Sequence, residues 1–156
     1  MIKSPLEVYK YCYSRGNTCN IPADWNITTN FSWKEAFTNE SPTDNVPFYD
    51  TFLRIYAAAE RFQAVRTALG KPFIVHSWYR SVLHNKRAGS TAELSLHCYG
   101  TALDFHVDGM TDADVRSAIL DKCPSVRVEA DTTGWVHIDT GHPYITNGYQ
   151  MGLFYA

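Results

Sequence analysis

Two short stretches, residues 101–107 (TALDFHV) and 135–140 (WVHIDT), alternate apolar side chains with polar or ionisable ones. Such alternation marks a strand, because successive side chains leave a pleated backbone on opposite faces. In the first stretch Thr101, Leu103, Phe105 and Val107 share one face, and Ala102, Asp104 and His106 share the other. In the second, Val136 and Ile138 face one way while Trp135, His137 and Asp139 face the other. A carboxylate in an otherwise apolar strand is costly to bury unless a cation or several donors meet it. The chain therefore has to build a sheet with one core face and one face that gathers ionisable groups. His97 lies just before the first strand, and Gly100 allows the turn that folds it back towards Asp104.

The segments around these strands read as helices and turns. Ser4-Pro5-Leu6-Glu7 is a capping box with proline at the first helical position, and Gly16 can end that helix. Residues 17–31 are polar and turn-rich. Ser32-Trp33-Lys34-Glu35 is a second capping box opening a short helix to about Thr38, and 39–47 (NESPTDNVP) is a loop. A long helix is expected over 48–69, closed by Gly70, with Phe52, Ile55, Tyr56, Ala59, Phe62 and Val65 on its core stripe. Residues 73–80 (FIVHSWYR) should be a strand, and 81–94 a polar excursion. Thr111 with Asp114 caps a helix that ends near Cys123-Pro124. Strands at 125–130 and 135–140 flank a turn, a hairpin signal. The expected fold is α+β, with a small antiparallel sheet packed against helices in one domain over residues 1–156.

Composition excludes several classes. Apolar residues make up 45% of the chain and charged ones 19%, enough for a real core and unlike a disordered chain. Fourteen basic residues against sixteen acidic ones argue against a phosphate-tracking nucleic-acid binder. No apolar run approaches the ~20 residues needed to cross a bilayer, so no membrane role is expected. The segment MIKSPLEVYKYCYSRG has charges where a signal peptide would be apolar. The expectation is a protein made in the cytosol, or one released by a route the sequence does not encode. Cys12, Cys19, Cys98 and Cys123 have no zinc-knuckle spacing. Mostly free thiols are expected, with a Cys12–Cys19 pair open if the first helix folds back on its flank. Asn26-Ile-Thr28 and Asn30-Phe-Ser32 are chance sequons without export.

His97, Asp104 and His137 offer two imidazoles and a carboxylate from adjacent stretches. Three such ligands with a fourth position open to water are the pattern of a catalytic zinc site. Nitrogen and oxygen donors with few carboxylates suit zinc better than calcium or magnesium. Ser95-Leu96-His97-Cys98-Tyr99-Gly100-Thr101-Ala102-Leu103-Asp104, followed by a strand carrying Trp135-Val136-His137, resembles the M15 zinc peptidases. These include D-Ala-D-Ala carboxypeptidases, vancomycin-resistance D,D-peptidases and phage endolysins, and their metal fold is shared with the hedgehog signalling domain. Three further segments agree with the small murein peptidases of that family: residues 30–35, Ser77-Trp78-Tyr79-Arg80-Ser81, and residues 136–141. The resemblance covers about 28–141, leaving 1–27 as an N-terminal helix and loop.

The resemblance implies His97, Asp104 and His137 as zinc ligands. It implies that Arg80 holds a substrate carboxylate or the oxyanion, a task suited to a permanently charged planar fork; a structural ion pair is the plainer alternative. Ser95 matches the family's serine, expected to orient the loop or a ligand, with Ser77 helping likewise. Trp135 and Tyr79 can line a cleft, although aromatics in such places are more often core. Many relatives place an acid or histidine three residues before the last zinc ligand, where this chain has Gly134. The nearest upstream acids are Glu129 and Asp131. An odd-numbered loop centred on Thr133 sets Glu129 across from His137, whereas an even-numbered loop turns both acids away. Glu129 is preferred as general base, and Asp131 can simply begin the turn. Asp139, His106 and His142 remain as reserves with supporting roles.

The resemblance thus implies a zinc-dependent, endolysin-like peptidase acting on peptidoglycan peptides that contain D-amino acids. The alternative is a virion or scaffold component, partnered by other virion proteins, that keeps the metal fold without the activity. A metal-free binder is a third reading.

Overall fold

The computed structural model describes residues 1–90, 95–144 and 152–155. Helix α1 (Pro5–Arg15) starts at the expected capping box: the Ser4 hydroxyl accepts the Glu7 N–H, and the Glu7 carboxylate accepts the Ser4 N–H. Gly16, at φ 72°, ends it in the left-handed conformation. Helix α2 (Trp33–Ala36) has the same box on Ser32 and Glu35. Helix α3 (Tyr49–Leu69) buries Phe52, Ile55, Ala59, Phe62 and Val65 of the expected stripe and Ala58 beside it, with Tyr56 partly buried at its margin. Each large apolar side chain so buried contributes about 1.5–3 kcal/mol.

Strand β1 (Ile74–Ser77) is followed by helix α4 (Val82–Arg87) and a single 3-10 turn at Leu96–Tyr99. Strand β2 (Ala102–His106), helix α5 (Asp112–Lys122), β3 (Arg127–Glu129), β4 (Val136–Asp139) and β5 (Gly152–Phe154) complete the order. Among the described residues the sheet runs β1-β2-β4-β3-β5. The first three junctions are antiparallel, but β5 pairs parallel to β3, so the sheet is mixed and not purely antiparallel. Three residues are too few for alternation to announce β5. Helix α4 was also not expected from the polar stretch 81–94. Its start rests on the Ser81 hydroxyl accepting the His84 N–H, a cap without an apolar stripe behind it.

One tryptophan joins the helices to the site. Trp78 is 0% exposed, packs edge-on against Phe31 and Phe62, and donates its indole N–H to the Gly100 carbonyl at 2.8 Å. Gly100 itself sits at φ 78°, where a Cβ would stand 2.5 Å from Ile55 Cγ1 of α3. Only glycine brings the 3-10 turn this close to the long helix. The four cysteines are free thiols, with Cys19 donating to the Glu40 carbonyl.

Candidate active site

Side chains from the 3-10 turn, β2 and β4 converge on one point. Ligand atoms of His97, Asp104 and His137 all lie within 4.8 Å of one another. Antiparallel pairing sets Asp104 directly across from His137, and His137 Nδ1 lies 2.7 Å from Asp104 Oδ1. His97 Nε2 lies 3.2 Å from Asp104 Oδ2. Gly100 delivers His97 to this position, since its left-handed backbone reverses the chain between the turn and β2.

Each imidazole is held from behind. His97 Nδ1 lies 2.6 Å from the Trp78 carbonyl, which can only accept, so Nδ1 carries the proton and Nε2 presents its lone pair. His137 Nε2 donates to Asp139 Oδ2 at 3.3 Å, leaving Nδ1 for the convergence point. Asp139 is itself 0% exposed; Arg127 grips it through two hydrogen bonds of 2.8 and 3.0 Å, and the Gly141 N–H adds a third. Backing of this kind sets the tautomer and orientation of metal-binding histidines. Two imidazole nitrogens and one carboxylate, pre-aimed and pre-tautomerised, fit a divalent metal ion.

The electrostatics agree with the geometry. Burial alone would raise the Asp104 pKa, but hydrogen bonds from His137 and His97 outweigh it and hold the carboxyl well below its usual range. Burial alone would lower that of His137, yet hydrogen bonds to Asp104 and Asp139 hold it up at about 9. His97 moves downward, because its burial outweighs the attraction of Asp104. The Asp104 carboxylate is thus held ionised at the centre of the convergence point.

Arg80 reaches the same point. A break in register between Val75 and Ser77 places Ser77 opposite Asp104, and the Ser77 hydroxyl accepts the Arg80 Nε–H at 2.8 Å. Arg80 also donates to Asn85 and, at 3.1 Å, to Asp104 Oδ2. Here it makes the ion pair with Asp104, and its guanidinium borders the convergence point. Ser95 is half-buried at the start of the 3-10 turn, its carbonyl accepting the Cys98 N–H. Trp135 is 41% exposed, just before β4, so it is not core. Tyr79 is buried against Phe37 and belongs to the core.

The hairpin register is the odd-numbered one. Arg127 pairs with Asp139 and Val128 with Ile138, so the next position across from His137 is Glu129. Glu129 is half-buried; burial raises its pKa, with the His137 charge acting in the opposite direction. Asp131 is exposed. Gly134, at φ 88°, lies in the turn and donates its N–H to Asp112. His106 lies away from the ligands, beside His76 and Asp108. His142 contacts Tyr99.

Three supports were not anticipated: the Trp78 carbonyl, Asn85 and Arg127. Register arithmetic could have found Arg127, since the loop that pairs Glu129 with His137 also pairs Arg127 with Asp139. Asn85 had no signal, because α4 itself was not expected.

The family profile described as Peptidase M15 matches residues 26–139. The Escherichia coli protein named peptidoglycan L,D-endopeptidase MepK is 35% identical over 75 residues, covering 46% of this chain and 41% of that protein. A Shigella flexneri protein of the same name matches to the same extent. The match spans about two fifths of the length of these curated relatives.

Proposed function

The chain belongs to the M15 peptidase family, and on that footing we propose that it is a zinc-dependent peptidase hydrolysing peptidoglycan bonds that involve D-amino acids. The observation that carries this reading is the convergence of His97 Nε2, His137 Nδ1 and Asp104, with the far nitrogen of each imidazole already held by a protein acceptor. A zinc ion bound by these three residues supplies Lewis acidity, acidifying water and polarising a carbonyl. The names of the similar Escherichia coli and Shigella proteins support peptidoglycan as the substrate class.

The chain's own groups divide the remaining work. Glu129, across the hairpin from His137, accepts the proton that water loses as its oxygen bonds to the carbonyl carbon. It then delivers that proton to the departing amine nitrogen. Burial keeps the Glu129 pKa above the ordinary value, which suits a group that must both take and give a proton. Arg80, already aimed at the site by Ser77 and Asn85, binds a substrate carboxylate or the developing oxyanion. Trp135 offers an exposed aromatic surface to the peptide beside β4, and Ser95 steadies the turn that carries His97.

The test is release of free amino groups from purified peptidoglycan by zinc-loaded protein. Wild type should release them, and His137→Ala should reduce release to background. Activity untouched by both His137→Ala and Glu129→Gln would sink the site assignment. No release by the wild type would favour an inactive scaffold that retains the fold.

A further inference from the structure

A second group of ligating side chains stands apart from the site above. Glu40 and Asp44, from the loop between α2 and α3, meet His84 of α4 with one ligand atom from each within 4.8 Å of the others. Asp44 has a side chain 3% exposed; its Oδ2 accepts the Ser41 N–H at 2.8 Å, and its Oδ1 lies 3.9 Å from Arg87, which is 56% exposed. Glu40 Oε1 accepts the Ser81 N–H at 3.0 Å. Its Oε2 is shut away from solvent with no hydrogen-bond partner among the described residues. The His84 imidazole likewise has no hydrogen bond among the described residues; its backbone N–H donates to the Ser81 hydroxyl and its carbonyl accepts the Ala88 N–H.

A buried carboxylate oxygen without a donor carries a desolvation cost that nothing nearby offsets. Burial pushes the Glu40 pKa up to about 7, and the neighbouring Asp44 charge adds to the rise. Arg87 is too distant and too exposed to neutralise two carboxylates. Among the described residues the group therefore offers two carboxylates and one imidazole without a hydrogen bond, and no cation stands at its centre.

We propose that Glu40, Asp44 and His84 bind a divalent transition cation of the zinc class, in a structural site separate from the catalytic one. The imidazole selects against calcium and magnesium, which prefer oxygen donors alone. Such an ion ties the 39–47 loop to α4. Because Glu40 also holds the N–H of Ser81, the residue after Arg80, the site braces the segment that aims Arg80 at Asp104. This inference does not rest on the peptidase reading, since its ligands and that site's ligands share no residue.

The test is zinc stoichiometry. Protein stripped with chelator is titrated with Zn²⁺ and counted by equilibrium dialysis and elemental analysis. Wild type should bind two equivalents, His84→Ala one, and His97→Ala/His137→Ala one. Adding Glu40→Gln to the last variant should remove the remaining equivalent. An equivalent count that His84→Ala leaves unchanged from wild type, whether one or two, would overturn the proposal. If the double-histidine variant does not fold, His84→Ala and Glu40→Gln in the otherwise unchanged chain give the same count, and either retaining two equivalents is decisive against it.

Discussion

The two clusters of ligating side chains are built differently. His97, Asp104 and His137 stand on a turn and two paired strands, and each imidazole is locked from behind, by the Trp78 carbonyl or by Asp139. Glu40, Asp44 and His84 stand on a loop and a short helix, with one carboxylate oxygen and one imidazole unpartnered among the described residues. The first cluster is organised before any ligand arrives, so binding energy is not consumed in ordering it. The second has fewer internal supports and depends more on what it binds. Rigid elements carry the cluster proposed for catalysis, which needs exact aim, and irregular ones carry the cluster proposed for a structural ion, which needs only charge balance.

The comparison can be attacked from its strongest point downward. Asp104→Ala removes the carboxylate shared by His97, His137 and Arg80. Hydrolysis should fall to background and one zinc equivalent should be lost, read by amine release and elemental analysis. Glu129→Gln should lower kcat by about 10²–10⁴ while the same equivalent of metal stays bound. A variant that instead loses metal would reassign Glu129 as a ligand. Asp139→Asn leaves all three ligands in place but weakens the backing of His137, so zinc affinity should fall by about 10–100-fold. Unchanged affinity would show that the first cluster is no better supported than the second.

Smaller effects test the scaffold. Gly100→Ala should destabilise the protein by at least about 1–2 kcal/mol in urea unfolding, from the left-handed backbone alone, with the close approach to Ile55 adding to it. The smallest effect concerns the α1 capping box, a carboxylate satisfied locally and not by a cluster. The Ser4 N–H, aided by Lys3, holds the Glu7 pKa down at about 2 against an ordinary 4.5. A depressed acid stabilises the fold above its unfolded pKa and loses that contribution as pH falls through the folded value. Glu7→Gln should therefore flatten the melting temperature between about pH 4.5 and about pH 2. A slope that persists in Glu7→Gln would assign it to other carboxylates.

Legibility in the sequence followed the range of the interactions. Both capping boxes, the α3 stripe, the Thr111 cap and the αL glycines at 16, 70 and 100 were readable, because each depends on residues a few positions apart. The strand alternation put Asp104 and His137 on a common face, and the odd-numbered loop was one of two stated registers. Helix α4 was missed because its six residues show no apolar periodicity, and β5 because a three-residue parallel partner leaves no local trace. The Glu40, Asp44 and His84 group was invisible for the same reason: its members come from segments read as a loop and an excursion.

The sequence alone determined which residues could bind a cation on the sheet and which face they share, since strand pleating is a property of adjacent residues. Only the tertiary structure decided that Glu129 opposes His137, that the Trp78 carbonyl and Asp139 lock the imidazoles, and that a second cluster closes over Glu40. Those depend on register and packing between distant segments, and the free energy that selects them comes from burying the whole core at once.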